Sequence, residues 1–193
     1  MRLAILDSGH TVPMKGLFAV MRAASRLPVP DAVKLNRYRP DFYGTPMRVL
    51  TQEAMRGPSA WSVGDRELMG ACVSQINKCE VCTKTHAQVA ALAYGDTAKV
   101  SAVLADFETA PIEEPLRVTL RMLRKLTREH TVDAEDMRAV LAAGVARQQI
   151  EDALAVCFTF NTVDRLSRTF GWVVTSDEAF QAGAKFLLAR GYR

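Results

Sequence analysis

Three observations make this an all-α sequence. Apolar residues recur at helical spacing almost throughout, and no segment sustains a two-residue alternation bounded by hairpin turn residues. Prolines punctuate the first 60 residues, and Gly95 and Gly144 stand where helices should end. At ~150 residues per domain, 193 residues make one compact unit, and 49% hydrophobic with 24% charged residues excludes disordered, collagenous and low-complexity classes.

Residues 1–60 are the least regular. Pro13, Pro28, Pro30, Pro40, Pro46 and Pro58 leave helical pieces near 14–26, 31–38 and 41–55, an arm expected to pack over the rest. Ser62 and Asp65 have capping-box spacing at the start of a helix over 63–77, which Asn77 and Lys78 break. A second helix is predicted from Cys79 to Gly95, and Asp96 or Thr97 caps a third that runs to about Phe107. Beyond the Ala110-Pro111 break, helices are predicted over 113–129, 134–143, 147–170 and 177–190, with Asp133 as the cap of the second and Gly144 just past its end. The chain reads as a single domain over 1–193: the 1–60 arm, the helices of 61–110 and a second helical half over 111–193. Helix, glycine, short turn and helix recur at Gly95 and Gly144, a pattern compatible with a diverged internal duplication.

The formal charge of +4 permits an acidic partner without requiring one. The opening MRLAILDSGH holds only Leu3 to Leu6 as an apolar run, too short for an export signal. The longest apolar stretch elsewhere, Ala153 to Phe160, is broken by Thr159 and falls far short of the ~18 residues a membrane span needs. A cytoplasmic protein with no membrane partner is expected, and in that reducing compartment a close cysteine pair points to catalysis or metal rather than to a structural disulfide.

The chemistry concentrates in one stretch, where Glu67 is followed by Cys79, Cys82 and His86 in the form E-x11-C-x2-C-x3-H. Cysteines three apart at a helix start lie one turn from each other, within reach of a reversible disulfide. His86 stands one turn beyond Cys82, placed to take its thiol proton, which makes Cys82 the candidate attacking sulfur and Cys79 the resolving one. A competing argument favours Cys79, since unpaired N–H groups at a helix N-terminus stabilise a thiolate there. Glu67 on the preceding helix is placed to orient His86 if that helix folds back, although spacing alone reads it as a solvated residue of the first turns.

These residues resemble the AhpD-like alkylhydroperoxidase group of the carboxymuconolactone decarboxylase superfamily. Its pattern is a Glu, a CxxC twelve positions on, and a His four beyond the second Cys, and Glu67, Cys79, Cys82 and His86 fill all four places. The likeness continues through the Ala-rich helix to Gly95. A second stretch, with KLT at Lys125, AAG at 142–144 and FNTVDRL at 160–166, is similar to the peroxidase-related branch. The resemblance implies an all-helical fold, a homo-oligomer, and a thiol peroxidase that uses no cofactor and no metal. It further implies a small hydroperoxide substrate attacked by Cys82, a disulfide closed by Cys79, protons relayed by His86 and Glu67, and a separate dithiol reductant. Val81 departs from the pattern, for that position is often His or Tyr in the group.

Other readings stay beside this one. Zinc would need a fourth ligand after Cys79, Cys82 and His86, and Cys72, Glu67, His10 and His130 form no second pair. Cys72 and Cys157, among apolar neighbours, read as small buried hydrophobes, and His10 and His130 as solvated loop residues. Asn161, Asp164 and Arg165 interrupt an apolar helix and read as an internal hydrogen-bond network. Arg117, Arg121, Arg124 and Arg128 form a helical stripe ahead of two helices that mimic a helix-turn-helix, which would make a redox-sensing DNA regulator. Against that, the second helix soon turns apolar, and no nucleic-acid partner is expected. A decarboxylase of the same superfamily would need no cysteine cycle, and the intact CxxC argues against it.

Overall fold

The computed structural model describes residues 2–192. Among them are eleven α-helices and one π turn, with no strand. In order these are α1 (Ile5–Ser8), α2 (Val12–Ser25), α3 (Asp31–Tyr38), the π turn (Pro40–Gly44), α4 (Thr45–Arg56), α5 (Val63–Ile76), α6 (Glu80–Tyr94), α7 (Thr97–Asp106), α8 (Glu114–Glu129), α9 (Ala134–Ala142), α10 (Arg147–Phe170) and α11 (Asp177–Arg190). None of these helices is long and apolar enough to cross a membrane.

Helix α5 is the centre of the molecule. Its start is the capping box that the sequence indicates: Asp65 N–H donates to Ser62 Oγ at 3.0 Å and Ser62 N–H to Asp65 Oδ2 at 3.0 Å. From Gly64 to Ser74 all but Asp65 is buried, including two charged side chains, Arg66 and Glu67. The chain then turns at Asn77 and Lys78, and α6 folds back along α5 to form a hairpin. The 24-residue α10 packs across α4, α5 and α8, while α11 covers α6. A glycine sets the closest of these approaches: a Cβ on Gly70 would lie 2.5 Å from the Phe160 ring, so any larger residue there would force α5 and α10 apart. Met55, Leu68, Met69, Val73, Leu120, Leu123, Ala153 and Phe160 fill the core between these helices.

Helix ends follow local chemistry. Gly95 takes a positive φ at the end of α6 and Gly144 does so after α9, as C-terminal caps in a conformation that glycine adopts freely and L side chains rarely do. Asp96 accepts from Lys99 N–H and Asp133 from the N–H groups of Glu135 and Asp136, which starts α7 and α9.

The N-terminal arm differs from its expected form in three ways. A four-residue α1 precedes α2. The helix expected over 41–55 is split: Gly44 N–H donates to Arg39 carbonyl at 2.9 Å in a π turn, and α4 restarts at Thr45 with Pro46 in its first turn, where a missing N–H is tolerated. His10 is also buried rather than solvated. Its Nε2–H donates to Lys34 carbonyl at 2.9 Å and its ring sits edge-on to Phe18 and Tyr38. The arm therefore carries its own small apolar cluster with Leu6, Phe18, Val29 and Leu35, which an isolated histidine in the sequence does not reveal. His130 is exposed and ends α8 with a positive φ, as a loop residue.

Three of the four arginines in the stripe on α8 are engaged within the fold, and only Arg128, at its end, is exposed without an ion pair among the described residues. Arg117 donates to the carbonyls of Phe107, Glu108, Ala110 and Ile112 and so fastens the turn between α7 and α8. Arg121 and Arg124 both grip Glu108, and Arg124 lies over the Phe107 ring.

Candidate active site

The turn between α5 and α6 brings the two cysteines together. Lys78 takes a positive φ of 57° and Cys79 N–H donates to the Ser74 carbonyl at 2.9 Å, so the chain reverses and Cys79 becomes the N-cap of α6. Cys82 follows in the first turn. Both thiols are free and nearly sealed from solvent, with Cys79 2% and Cys82 4% exposed.

Beside them lies a carboxyl group from α10. Asp164 is fully buried; its Oδ1 accepts from Ser74 Oγ at 2.9 Å and its Oδ2 from Asn77 Nδ2 at 2.9 Å. A carboxylate oxygen of Asp164 and both sulfurs lie within 4.8 Å of one another. Ser167, one turn further along α10, accepts from Cys79 Sγ at 3.4 Å.

These neighbours divide the two thiols electrostatically. The hydrogen bond from Cys82, against burial and helped by Ser167, holds the Cys79 thiol below its ordinary value. The same hydrogen bond, together with burial and the Asp164 charge, pushes Cys82 well above it. Burial raises Asp164 despite its hydrogen bonds with Asn77, Cys82, Ser74 and Cys79. Of the two thiols, Cys79, at the helix N-terminus, is therefore the more readily ionised, and Cys82 holds its proton more tightly. Tyr43, on the π turn of the arm, has its phenol held up to about 12 by burial and by the nearby Cys82 charge.

A second buried cluster lies further along the hairpin. His86 Nδ1 meets Glu67 Oε2 at 2.7 Å, Arg56 Nη2 meets Glu67 Oε1 at 2.6 Å, and Tyr192 O–H donates to Glu67 Oε1 at 2.9 Å. Burial alone would raise the Glu67 carboxyl, but hydrogen bonds and charge from His86 and Arg56 overcome it and hold Glu67 below the usual carboxylate range. An ionised Glu67 accepts the Nδ1–H of His86, which leaves Nε2 as the ring nitrogen free for chemistry. Phe160 fixes the other side of the imidazole, edge-on at 4.4 Å between ring centroids.

All four motif residues are thus at this hairpin, arranged differently from the expectation. Glu67 is fully buried rather than solvated, because α5 is covered on all sides and Arg56 and His86 compensate its charge. His86 is paired with Glu67, but among the described residues it makes no hydrogen bond to either sulfur; the titratable group beside the thiols is Asp164. Asn161 and Asp164 do form the internal network expected of them: Asn77 Nδ2 bridges Asn161 at 3.2 Å and Asp164. Arg165 is exposed and donates to Asn161.

Cys72 and Cys157 are buried, and burial raises both thiols. Cys157 Sγ does accept from Asn161 Nδ2 at 3.2 Å, which ties it to the network. Arg56, Tyr192 and Ser167 join the site without belonging to the E-x11-C-x2-C-x3-H pattern. Ser167 had a signal, since 160, 164 and 167 lie on one helical stripe; Arg56 and Tyr192 had none. For a metal, Cys79, Cys82 and Asp164 are the one set of three donors that converge among the described residues, and none of Cys72, Glu67, His10 and His130 joins them.

The chain is all-helical and built on a helix hairpin whose turn carries a CxxC, with an acid–histidine pair across the hairpin. No protein-family model and no curated protein sequence matches the chain. Solved structures do. An uncharacterized peroxidase-related protein from Silicibacter sp. TM1040 superposes with a TM-score of 0.77 at 21% identity, over 92% of this chain and 93% of that one. An alkylhydroperoxidase AhpD core, from a peroxidase-related protein of Ralstonia eutropha JMP134, gives 0.74 at 18% identity, over 92% of each chain. The debrominase Bmp8 gives 0.71 at 13% identity, over 90% of this chain and 92% of that one. The chain has the AhpD-like fold.

Proposed function

We propose that this protein is a thiol oxidoreductase that reduces an organic hydroperoxide through Cys79 and Cys82. The observation that carries the reading is two free thiols at the N-terminus of α6, converging with a buried carboxyl group. The peroxidase-related and AhpD names of structures with the same fold support it.

A thiolate attacks the terminal oxygen of the hydroperoxide, the O–O bond breaks, and the departing alkoxide takes a proton to leave as an alcohol. The sulfur is now a sulfenic acid. The second thiol attacks it, water leaves, and a Cys79–Cys82 disulfide remains, so the peroxide has gained two electrons and the dithiol has lost them. We assign the attack to Cys82 and the resolution to Cys79, in keeping with the family resemblance. Because Cys82 holds its proton more tightly than Cys79, that proton passes to Cys79 or to Asp164, both within 4.8 Å, before attack. Glu67 orients His86, whose unprotonated Nε2 takes up the proton given up by the dithiol and passes it to the leaving oxygen. A separate dithiol must reset the disulfide. A homo-oligomer in the cytoplasm completes the proposal.

The test is peptide mass mapping of the reduced protein before and after one equivalent of organic hydroperoxide, without reductant in the digest. Loss of two hydrogens on a linked Cys79–Cys82 peptide is expected, and unmodified cysteines would retire the reading. The likeness to a debrominase adds one comparison: an organic bromide offered in place of the peroxide would be replaced by the hydrogen analogue and bromide ion, with the same disulfide formed.

A further inference from the structure

A groove of about 720 Å³ opens beside the dithiol, between the end of α5 and the end of α10. Four cations line it: Arg2, Lys78, Arg165 and Arg168. What sets the groove apart is that four cations converge on it, none of them in an ion pair with a carboxylate among the described residues. Their hydrogen bonds go to neutral oxygens: Arg2 to the Thr169 carbonyl at 3.2 Å, Arg168 to the Asn77 carbonyl at 2.9 Å, and Arg165 to Asn161 Oδ1 at 3.0 Å. Each guanidinium keeps further donors for a ligand. The one acid in the wall is Asp164, whose two oxygens are taken by Ser74 and Asn77 and whose carboxylate stands within 4.8 Å of both sulfurs. A molecule in the groove is therefore separated from the dithiol by the Asp164 carboxyl, in a field where four positive charges outweigh that single acid.

We propose that this groove receives the anionic end of the substrate, so that the protein selects organic hydroperoxides that carry a carboxylate over neutral ones. The inference rests on the peroxidase reading for the reacting group, and on the groove alone for the charge. Four cations in a partly enclosed groove raise the local concentration of a small anion on the order of tenfold at low salt, and the effect fades as salt screens it.

The charge selectivity is measured without any peroxide. The reduced protein is alkylated with iodoacetate and, in parallel, with iodoacetamide, reagents that differ in carrying or lacking a carboxylate, and modification is read at the Cys79–Cys82 peptide. The ratio of the two rates is divided by the ratio for a free neutral thiol in the same buffer. A quotient on the order of ten is expected at low salt, falling toward one at about 0.5 M salt. It should also fall in Lys78→Glu and in Lys78→Gln, whose circular dichroism checks the fold. Lys78 is exposed, so its replacement leaves the core untouched. A quotient near one, unmoved by salt and by either variant, overturns the proposal.

Turnover is then compared for a hydroperoxide acid and its methyl ester. A higher kcat/KM for the acid supports the inference, and equal values with a raised quotient overturn it in favour of an acidic macromolecular partner on the same cations. A raised quotient with neither peroxide consumed overturns the peroxidase reading while the anion selectivity of the groove stands.

Discussion

Replacing Glu67 by Gln tests the buried charge cluster that fixes His86. Glu67 is 0% exposed and its two oxygens face Arg56 at 2.6 Å, His86 at 2.7 Å and Tyr192 at 2.9 Å. Glutamine keeps the shape and an acceptor for Tyr192, but leaves the Arg56 guanidinium, whose side chain is only 11% exposed, without its counter-charge. Removing one partner of a buried pair costs about 3–5 kcal/mol. For a chain of this size each kcal/mol moves Tm by roughly 2–4 °C, so a fall of about 6–20 °C is expected.

The pH dependence carries the sign. The folded carboxyl of Glu67 is depressed, so the folded state holds fewer protons than the unfolded state near the ordinary carboxylate value. Its contribution is fully present above that value, about 4.3, and is lost as pH falls through the lower folded value. Urea unfolding of both proteins from neutral to acid pH should show a gap at pH 7 that closes in acid. A gap under about 1 kcal/mol at pH 7, the size of an exposed pair, would refute the argument. So would one that stays constant with pH.

Sulfenic acid trapping separates the two sulfurs: in Cys79→Ser a trap should label Cys82 after one equivalent of hydroperoxide, and labelling of Cys79 in Cys82→Ser with no signal in the reciprocal variant would reverse the roles. Asp164→Asn removes a negative charge that disfavours a thiolate, so both thiols should titrate at lower pH, read as a shift of the iodoacetamide rate profile toward acid. An unshifted profile would detach Asp164 from the dithiol. Gly70→Ala places a methyl 2.5 Å from the Phe160 ring and should destabilise by about 1–3 kcal/mol in thermal unfolding. Tyr192→Phe leaves Glu67 one donor short and should cost about 1 kcal/mol by urea unfolding.

What could be read in advance follows from how far apart the interacting residues are in sequence. Ser62 with Asp65 and Asp133 with Asp136 are local pairs, and they start α5 and α9 where capping chemistry places them. The breaks at Asn77-Lys78 and at Gly95 are equally local. The π turn is not, because Pro40 and Pro46 mark a disturbance without specifying its hydrogen-bond pattern. In the candidate site, CxxC and His86 were visible as a spacing, whereas the burial of Glu67 depends on Arg56, Tyr192 and the helices that enclose α5. Asp164 could be seen as a polar interruption of α10, but its position beside the sulfurs is set by how α10 crosses the hairpin. The burial of His10 is likewise invisible in the sequence, since its partners Phe18, Lys34 and Tyr38 come from different elements of the arm.

The partners of Glu67 also differ in when they can arrive. His86 is 19 residues away and joins as the α5–α6 hairpin closes, but Tyr192 is 125 residues away and can dock only after α11 has covered α6. Closing so long a loop is slow, which makes the tyrosine contact a late event in folding. A contact absent from the transition state sets how fast the native protein opens, not how fast it forms. Tyr192→Phe should therefore accelerate unfolding about fivefold for a loss of about 1 kcal/mol, with refolding unchanged, so a hydroxyl from the far end of the fold lengthens the life of the buried acid–histidine pair.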